Sequence, residues 1–404
     1  MPPRLRPRRL RALTAAPAAV AMLALLALGI WLGGSHPGWL PGFVRGPLVD
    51  DRAAVVNEAI SDIHSTYYRA IPDGQLADDA ISGVVARLHD RFSNYFDPQQ
   101  YSRFKLASSS EFSGIGTAVT EDPRGLRIQT VYDGSPAQRG GLQKGDVVIA
   151  VNGKSLKGRK QEESVSLVKG PPGSDVRLTW LHNGRRVTRT LTRNTVSVPV
   201  VASSLHTKGR CPIGVVSLAQ FSSGAHAEVY SALQRLQKRG AKSFIFDLRE
   251  NGGGLVSEAQ LIASAFLRSG PIVTTRGRAV PARTLTATGD PVVPDAPLLV
   301  LVDGGTASAS EIVAGALQDR KRAKLIGTKT FGKGVFQQVI ELSNGGALDI
   351  TAGQYFLPSG RNLGGKGVSQ GAGLKPDIAA SDNPKTKPDE ALDRALAVAA
   401  GTCR

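Results

Sequence analysis

"PLLVLVDGGTASASEIVAGALQDRKRAKLIGTKTFGKG", residues 297–334, reads as a strand, a helix and a second strand in immediate succession. Upstream, the strand-like runs "IGVVSLAQF" (213–221) and "SFIFDLRENGGG" (243–254) alternate with the helical runs "AEVYSALQRLQKRG" (227–240) and "LVSEAQLIASAFLRSG" (255–270). Repeated alternation of this kind calls for a largely parallel, layered sheet with functional residues at the strand-to-helix turns. Within the same stretch, Gly327, Gly332 and Lys333 fit the G-x-x-x-x-G-K frame of a phosphate-binding loop. Gly334 stands where that motif needs a Ser or Thr to hold magnesium, so the nucleotide reading fails and Lys333 needs another role.

Two turns carry chemistry. In "FDLRENGGGLVSEA" (246–259), Gly252, Gly253 and Gly254 follow a strand and open a helix, where unpaired backbone N–H groups can face an anion or a developing oxyanion. In "LVDGGTASASEIVAGAL" (301–317), Ser308 sits where a strand ends and a helix begins, with the amide of Ala309 next to it. A hydroxyl and two donors make an acyl-transfer site. Each half has a plainer reading: triple Gly as a permissive turn, Ser308 as a helix cap. The serine also needs a base. All six histidines lie at or before His226 and no G-x-S-x-G elbow is present, so a Ser-His-Asp triad has no support. Lys333 is the other base, provided that its pKa drops about 3 units from the aqueous value near 10.4.

Composition sets the frame around these turns. A chain of 404 residues with 41% apolar content calls for two or three globular units. The net charge is +17, of which Arg4, Arg6, Arg8, Arg9 and Arg11 supply five, leaving 17 − 5 = +12 spread along the chain. That balance favours anionic lipid or envelope polymers; with only 5% aromatic residues and no stacking signature, nucleic acid is not expected. Behind the arginines, Leu13 to Gly34 carries no charge and is long enough to span a bilayer, and the first acidic residue is Asp50. Residues 1–34 therefore read as a secretory signal or an uncleaved anchor, with the anchor favoured and the rest of the chain outside the cytoplasm. The two cysteines, Cys211 and Cys403, permit one disulfide fastening the C-terminal tail to the start of the last domain.

Residues 35–107 read as a small helical region, from "RAAVVNEAISDIHSTYYRAI" and "LADDAISGVVARLHDRF", with His64 and His89 expected to be partly buried on the helices. From residue 108 the period changes to two. "GIGTAVTED", "GLRIQTVYDG" and "GDVVIAVNGKSL" read as strands, "SPAQRGGL" and "RKQEESVSLVKG" as helices, and "DVRLTWLHNGRRVTRTLTR" as a hairpin turning at Asn183-Gly184. This order, with "FSGIGTAV" followed by "GSPAQRGGLQKGDVVIAVNG", resembles a PDZ domain of the bacterial exported type over residues 108–196. The resemblance places a terminal carboxylate at the backbone N–H groups of Gly114, Ile115 and Gly116, and Val165 and Val168 on the opposite groove wall. The end, "KPDEALDRALAVAAG", reads as one amphipathic helix within residues 381–404.

"GTASASEIVAGALQDRKRAKLIGTKTFGKGVFQ" (305–337) resembles the catalytic signature of the carboxy-terminal processing (tail-specific) proteases, serine peptidase family S41. The order of helices, PDZ-like segment and α/β core matches that family over nearly everything after Arg52. The serine of "SAS" and the lysine of "FGKG" stand 333 − 308 = 25 residues apart, as in the family. The resemblance implies an α/β, crotonase/ClpP-like protease core at residues 197–380, with an inserted PDZ-like β-rich domain and an N-terminal helical segment. It implies Ser308 as nucleophile, Lys333 as general base, Gln337 as the residue that positions the lysine, and the amides of Ala309 and Gly254 as oxyanion hole. Glu311 and Asp319 also match recurrent positions, where a buried structural role is expected. No metal or organic cofactor is implied. Implied partners are protein or peptide substrates with apolar C-termini, the membrane through the N-terminal segment, and an activating or adaptor protein. A catalytically silent, membrane-anchored PDZ scaffold is the alternative.

Overall fold

The computed structural model describes residues 51–403 apart from positions 73, 109, 365–369, 384 and 387, together with residues 22, 24, 25 and 28. The apolar run 13–34 lies almost wholly outside the described residues. Among those described, no helix is long and apolar enough to cross a membrane. The chain divides into two units, residues 1–84 and 85–404.

The first unit contains helix α1 (Asp51–Thr66) and most of α2 (Gln75–Ala86). His64, in the last turn of α1, and His89, beyond the end of α2, are both exposed, which corrects the partly buried role expected for them. His89 leaves the helical pattern with φ +52°, because α2 stops at Ala86.

The second unit opens with a short strand where only helix was expected: β1 (Asn94–Phe96), followed by α3 (Pro98–Ser108). The PDZ-like region then runs β2 (Glu111–Gly114), β3 (Thr117–Asp122), β4 (Gly125–Val131), α4 (Pro136–Arg139), β5 (Val147–Val151), β6 (Lys154–Ser155), α5 (Gln161–Val168), β7 (Asp175–His182), β8 (Arg185–Thr192) and β9 (Asn194–Ser197). Its elements follow local signals. Ser135 caps α4 by accepting from the Gln138 amide at 3.1 Å, and Asn183 and Gly184 both take positive φ, as the tight β7–β8 turn requires. The strand order β3-β4-β5-β7-β8 leaves β3 on an edge. Strands β2 and β9 pair with each other at the root of the domain, where the chain enters and leaves.

The remainder is β10 (Val201–Lys208), β11 (Cys211–Leu218), α6 (Ala225–Lys238), β12 (Ser243–Asp247), α7 (Val256–Ser264), β13 (Pro271–Gly277), β14 (Arg283–Thr286), β15 (Leu298–Val302), α8 (Ala309–Asp319), β16 (Lys324–Gly327), β17 (Val335–Glu341), β18 (Ala347–Phe356), β19 (Ile378–Ala379) and α9 (Glu390–Ala400). Six strands form one sheet in the order β10-β11-β12-β15-β16-β19; β11 through β19 run parallel and β10 antiparallel. All five residues of β15 are buried, as expected for a strand covered on both faces. One face packs on α6, α7 and α8, and the other on Ala391, Ala395, Leu396 and Ala399 of α9. A second sheet, absent from the sequence reading, is antiparallel: β1-β18-β13-β14, with β17 also on β18. The β1 residues join it by pairing Asn94 with Asp349, a contact of long sequence separation that local periodicity does not carry.

Cys211 and Cys403 form a disulfide with Cα atoms 5.8 Å apart, tying the chain end after α9 to β11 across a separation of 192 residues. Cys403→Ser should lower the unfolding free energy by about 2–5 kcal/mol, towards the upper end because the loop it opens is long. Urea denaturation of the two proteins reads this directly; equal midpoints and slopes would mean that the bridge carries no stability.

Candidate active site

The two turns singled out in the sequence meet at the C-terminal ends of β12 and β15. Ser308 occupies the N-cap of α8 with φ +57° and ψ −117°, a conformation that costs a non-glycine residue energy and is held by its surroundings. The next amide, of Ala309, lies in the first helical turn, where it has no intrahelical acceptor. Gly253 passes directly beside this turn: with φ +101°, a Cβ placed on it would lie 2.9 Å from Ser308 Cβ and 2.8 Å from the Ala309 nitrogen. Its own N–H is taken by Asn251 Oδ1 at 2.9 Å, whereas the Gly254 N–H has no acceptor among the described residues.

Two buried residues hold this geometry. Asn251 donates through Nδ2 to the Leu218 carbonyl at 2.7 Å, and its own carbonyl accepts from the Ala307 amide at 3.0 Å and Ser310 Oγ at 2.8 Å. It thereby joins the end of β11, the glycine turn and the start of α8. Glu311, fully buried on α8, accepts from the Ser308 amide at 3.1 Å, the Lys333 amide at 2.9 Å, the Gly332 amide at 2.8 Å and Thr330 Oγ1 at 2.5 Å. One carboxylate thus locks the backbone of Ser308 to that of Lys333, which is the structural role expected of it. Burial raises the Glu311 pKa, while these four donors oppose the rise. Asp319, at the far end of α8, accepts from the Ser359 amide at 3.0 Å and from Arg361 at 2.7 Å, also a structural role.

Lys333 lies half-buried just before β17. Its Nζ donates to Gln337 Oε1 at 2.7 Å, and Gln337 Nε2 donates in turn to Thr351 Oγ1 at 3.1 Å. The ammonium stands 5.1 Å from the centre of the Phe92 ring. Burial depresses its pKa; Asp349, Asp90 and Glu311 pull the other way without reversing the shift. No hydrogen bond joins Lys333 Nζ to Ser308 Oγ, but both residues line one cavity of about 560 Å³ with Gly252, Gly253, Gly254, Gln337 and Asp349. Apolar side chains, among them Phe104, Leu255, Val256, Phe336 and Val339, complete the lining, and no histidine is part of it. A hydroxyl on a strained turn, free amides beside it and a lysine with lowered proton affinity are the groups that acyl transfer needs. A larger cavity of about 780 Å³ lies against Cys211 and Cys403, with Lys208, Arg210 and Lys242 on its rim and no nucleophile–base pair. Among the described residues no group of three or more His, Cys, Asp or Glu side chains could hold a metal ion.

In the PDZ-like region the carbonyls of Ile115 and Gly116 accept from the amides of Ala137 at 2.8 Å and Tyr132 at 3.0 Å. The N–H groups of Ile115 and Gly116 have no acceptor among the described residues. Gly114 ends β2 opposite Asn194. The Ile115 and Val168 side chains are packed in the domain's own core, while Val165 keeps part of its surface. Asn251, Thr351, Asp349 and Phe92 escaped the sequence reading. Asn251 had a visible cue, its place before the three glycines; the others come from strands and turns whose pairing is not local.

The sequence profile of peptidase family S41 matches residues 212–380, and that of a PDZ domain residues 127–181. The carboxyl-terminal-processing protease of Synechocystis sp. is 38% identical over 294 residues, covering 72% of this chain and 69% of that protein. The carboxy-terminal-processing protease of Bartonella bacilliformis is 36% identical over 320 residues, covering 78% and 71%. The carboxy-terminal processing protease CtpA of Bacillus subtilis is 34% identical over 321 residues, covering 79% and 68%. Among solved structures, the photosystem II D1 C-terminal processing protease superposes with a TM-score of 0.51 at 27% identity, over 88% of this chain and 99% of that one. The chain belongs to peptidase family S41: it is a serine-type endopeptidase of the carboxyl-terminal-processing group, with a PDZ domain.

Proposed function

We propose that this endopeptidase acts outside the cytoplasm, binds unstructured, apolar C-termini through its PDZ domain, and cleaves envelope or secreted proteins with a Ser308–Lys333 dyad. The observation that carries this reading is the sharing of one cavity by Ser308, on its strained turn, and by Lys333, whose burial lowers its pKa. Neutral Lys333 takes the Ser308 hydroxyl proton as Oγ bonds to the peptide carbonyl carbon, and the oxyanion receives the N–H groups of Gly254 and Ala309. The C–N bond then breaks, the lysine gives its proton to the leaving amine, and water, deprotonated by the same lysine, releases the acyl group from Ser308. Gln337 holds Nζ until the bound substrate brings base and nucleophile together.

The unpaired amides of Ile115 and Gly116 and the free edge of β3 favour capture of a terminal carboxylate by an added strand, with Val165 and Val168 on the facing helix. The uncharged run behind five arginines favours a membrane anchor, and the Cys211–Cys403 bridge favours an oxidising compartment. An activating or adaptor protein that moves the PDZ domain fits the same scheme. In a digestion assay with the full chain, an unstructured substrate ending in apolar residues should show kcat/KM about 10–100-fold above the same substrate ending in two aspartates. Equal values for the two would remove the PDZ domain from substrate selection.

A further inference from the structure

The side chain of Lys333 is faced from several elements. β17 contributes Gln337; α8 contributes Glu311; the turn before β1 contributes Asp90 and the Phe92 ring, which Arg91 also approaches at 5.4 Å. β18 contributes Asp349 and Thr351. In the β17–β18 register, Gln337 stands opposite Thr351 and Val339 opposite Asp349. Alternate residues of a strand share a face, so the strand that orients Gln337 through Thr351 also turns Asp349 into the cavity of Lys333.

The three carboxylates around the lysine differ in how they are occupied. Asp90 accepts from the Phe92 amide at 2.9 Å and from Ser93 Oγ at 2.6 Å. Glu311 serves four donors. Asp349 is half-buried, and its carboxylate accepts no hydrogen bond from any described residue, so its compensating charge must come from across the cavity. We propose that Asp349 is a positioning residue that supplies the counterion of Lys333, holding the lysine protonated between turnovers and thereby limiting how much neutral base is present. This inference rests on the reading of Lys333 as the general base. Its consequence runs against the usual effect of an active-site substitution: removing the carboxylate makes the enzyme faster at pH values below the midpoint at which Lys333 loses its proton.

The test is acylation of Lys333 by acetic anhydride as a function of pH, read by mass spectrometry in the parent, Asp349→Asn and Asp349→Glu, because only the neutral amine reacts. The labelling midpoint should fall by about one pH unit in Asp349→Asn and return to the parental value in Asp349→Glu. Below the parental midpoint, kcat/KM of Asp349→Asn should rise several-fold. A midpoint that is unmoved or raised in Asp349→Asn overturns the proposal, whatever happens to activity. Should that protein not fold, Asp349→Ser, also uncharged, is read by the same criterion. A midpoint that falls as expected while Lys333→Ala still cleaves substrate would retain the counterion and sink the base assignment instead.

Discussion

Ser308→Ala and Lys333→Ala should each lower kcat/KM for an unstructured, apolar-tailed substrate by roughly four orders of magnitude, and the double variant should lose little more. In the proposed mechanism the two residues act as one device, since the hydroxyl is a poor nucleophile unless its proton leaves as the bond forms. Lys333→Arg should be as inactive as Lys333→Ala, because a guanidinium keeps its proton at any working pH. The parent's pH profile follows from the same assignment. A base must be unprotonated, so kcat/KM rises with pH; burial places the midpoint of that rise below the ordinary lysine value of 10.5. Retention of cleavage by Lys333→Ala, or a profile that falls with pH across this range, would exclude the dyad.

Glu311 is expected to produce the second largest effect, although it touches no substrate. It is fully buried and joins Ser308 to Lys333 through their backbone amides. Glu311→Ala leaves three N–H groups and the Thr330 hydroxyl without their acceptor, a loss of about 3–5 kcal/mol. Glu311→Gln is the sharper probe, being of the same size. One of its two termini becomes an NH₂ group, which must face either the Ser308 and Lys333 amides or the Gly332 amide and Thr330. Stability should fall by about 2 kcal/mol and kcat by roughly 100-fold, the effect of a small displacement between reacting groups. Denaturant unfolding and single-turnover cleavage measure the two separately. Parental values in both would show that the turn holds its shape without this clamp.

How much of this was legible in the chain depends on the distance over which each feature is specified. The parallel core, the β7–β8 hairpin at Asn183-Gly184, the capped α4 and the final helix α9 were readable because each follows from periodicity and turn chemistry within a few residues. So were the positions of Ser308 and of the glycine turn, since a strand followed by a helix leaves free amides wherever it occurs. The antiparallel sheet was not legible. Its strand β1 is paired with β18, about 250 residues later, and nothing in "NYF" announces that partner.

The same division runs through the active site. Sequence alone determined which residue types stand at the strand-to-helix turns and the spacing between Ser308 and Lys333. Only the tertiary structure decided the proton affinity of Lys333, because that depends on burial and on Asp90, Phe92, Glu311 and Asp349, which come from three separate segments of the chain. It also decided which of the three glycine amides is taken, through the Asn251 side chain that accepts from the amide of Gly253. Residue identity and local turn geometry are properties of neighbours along the chain. Desolvation and charge proximity are properties of neighbours in space, and they exist only once the sheets have closed around the lysine.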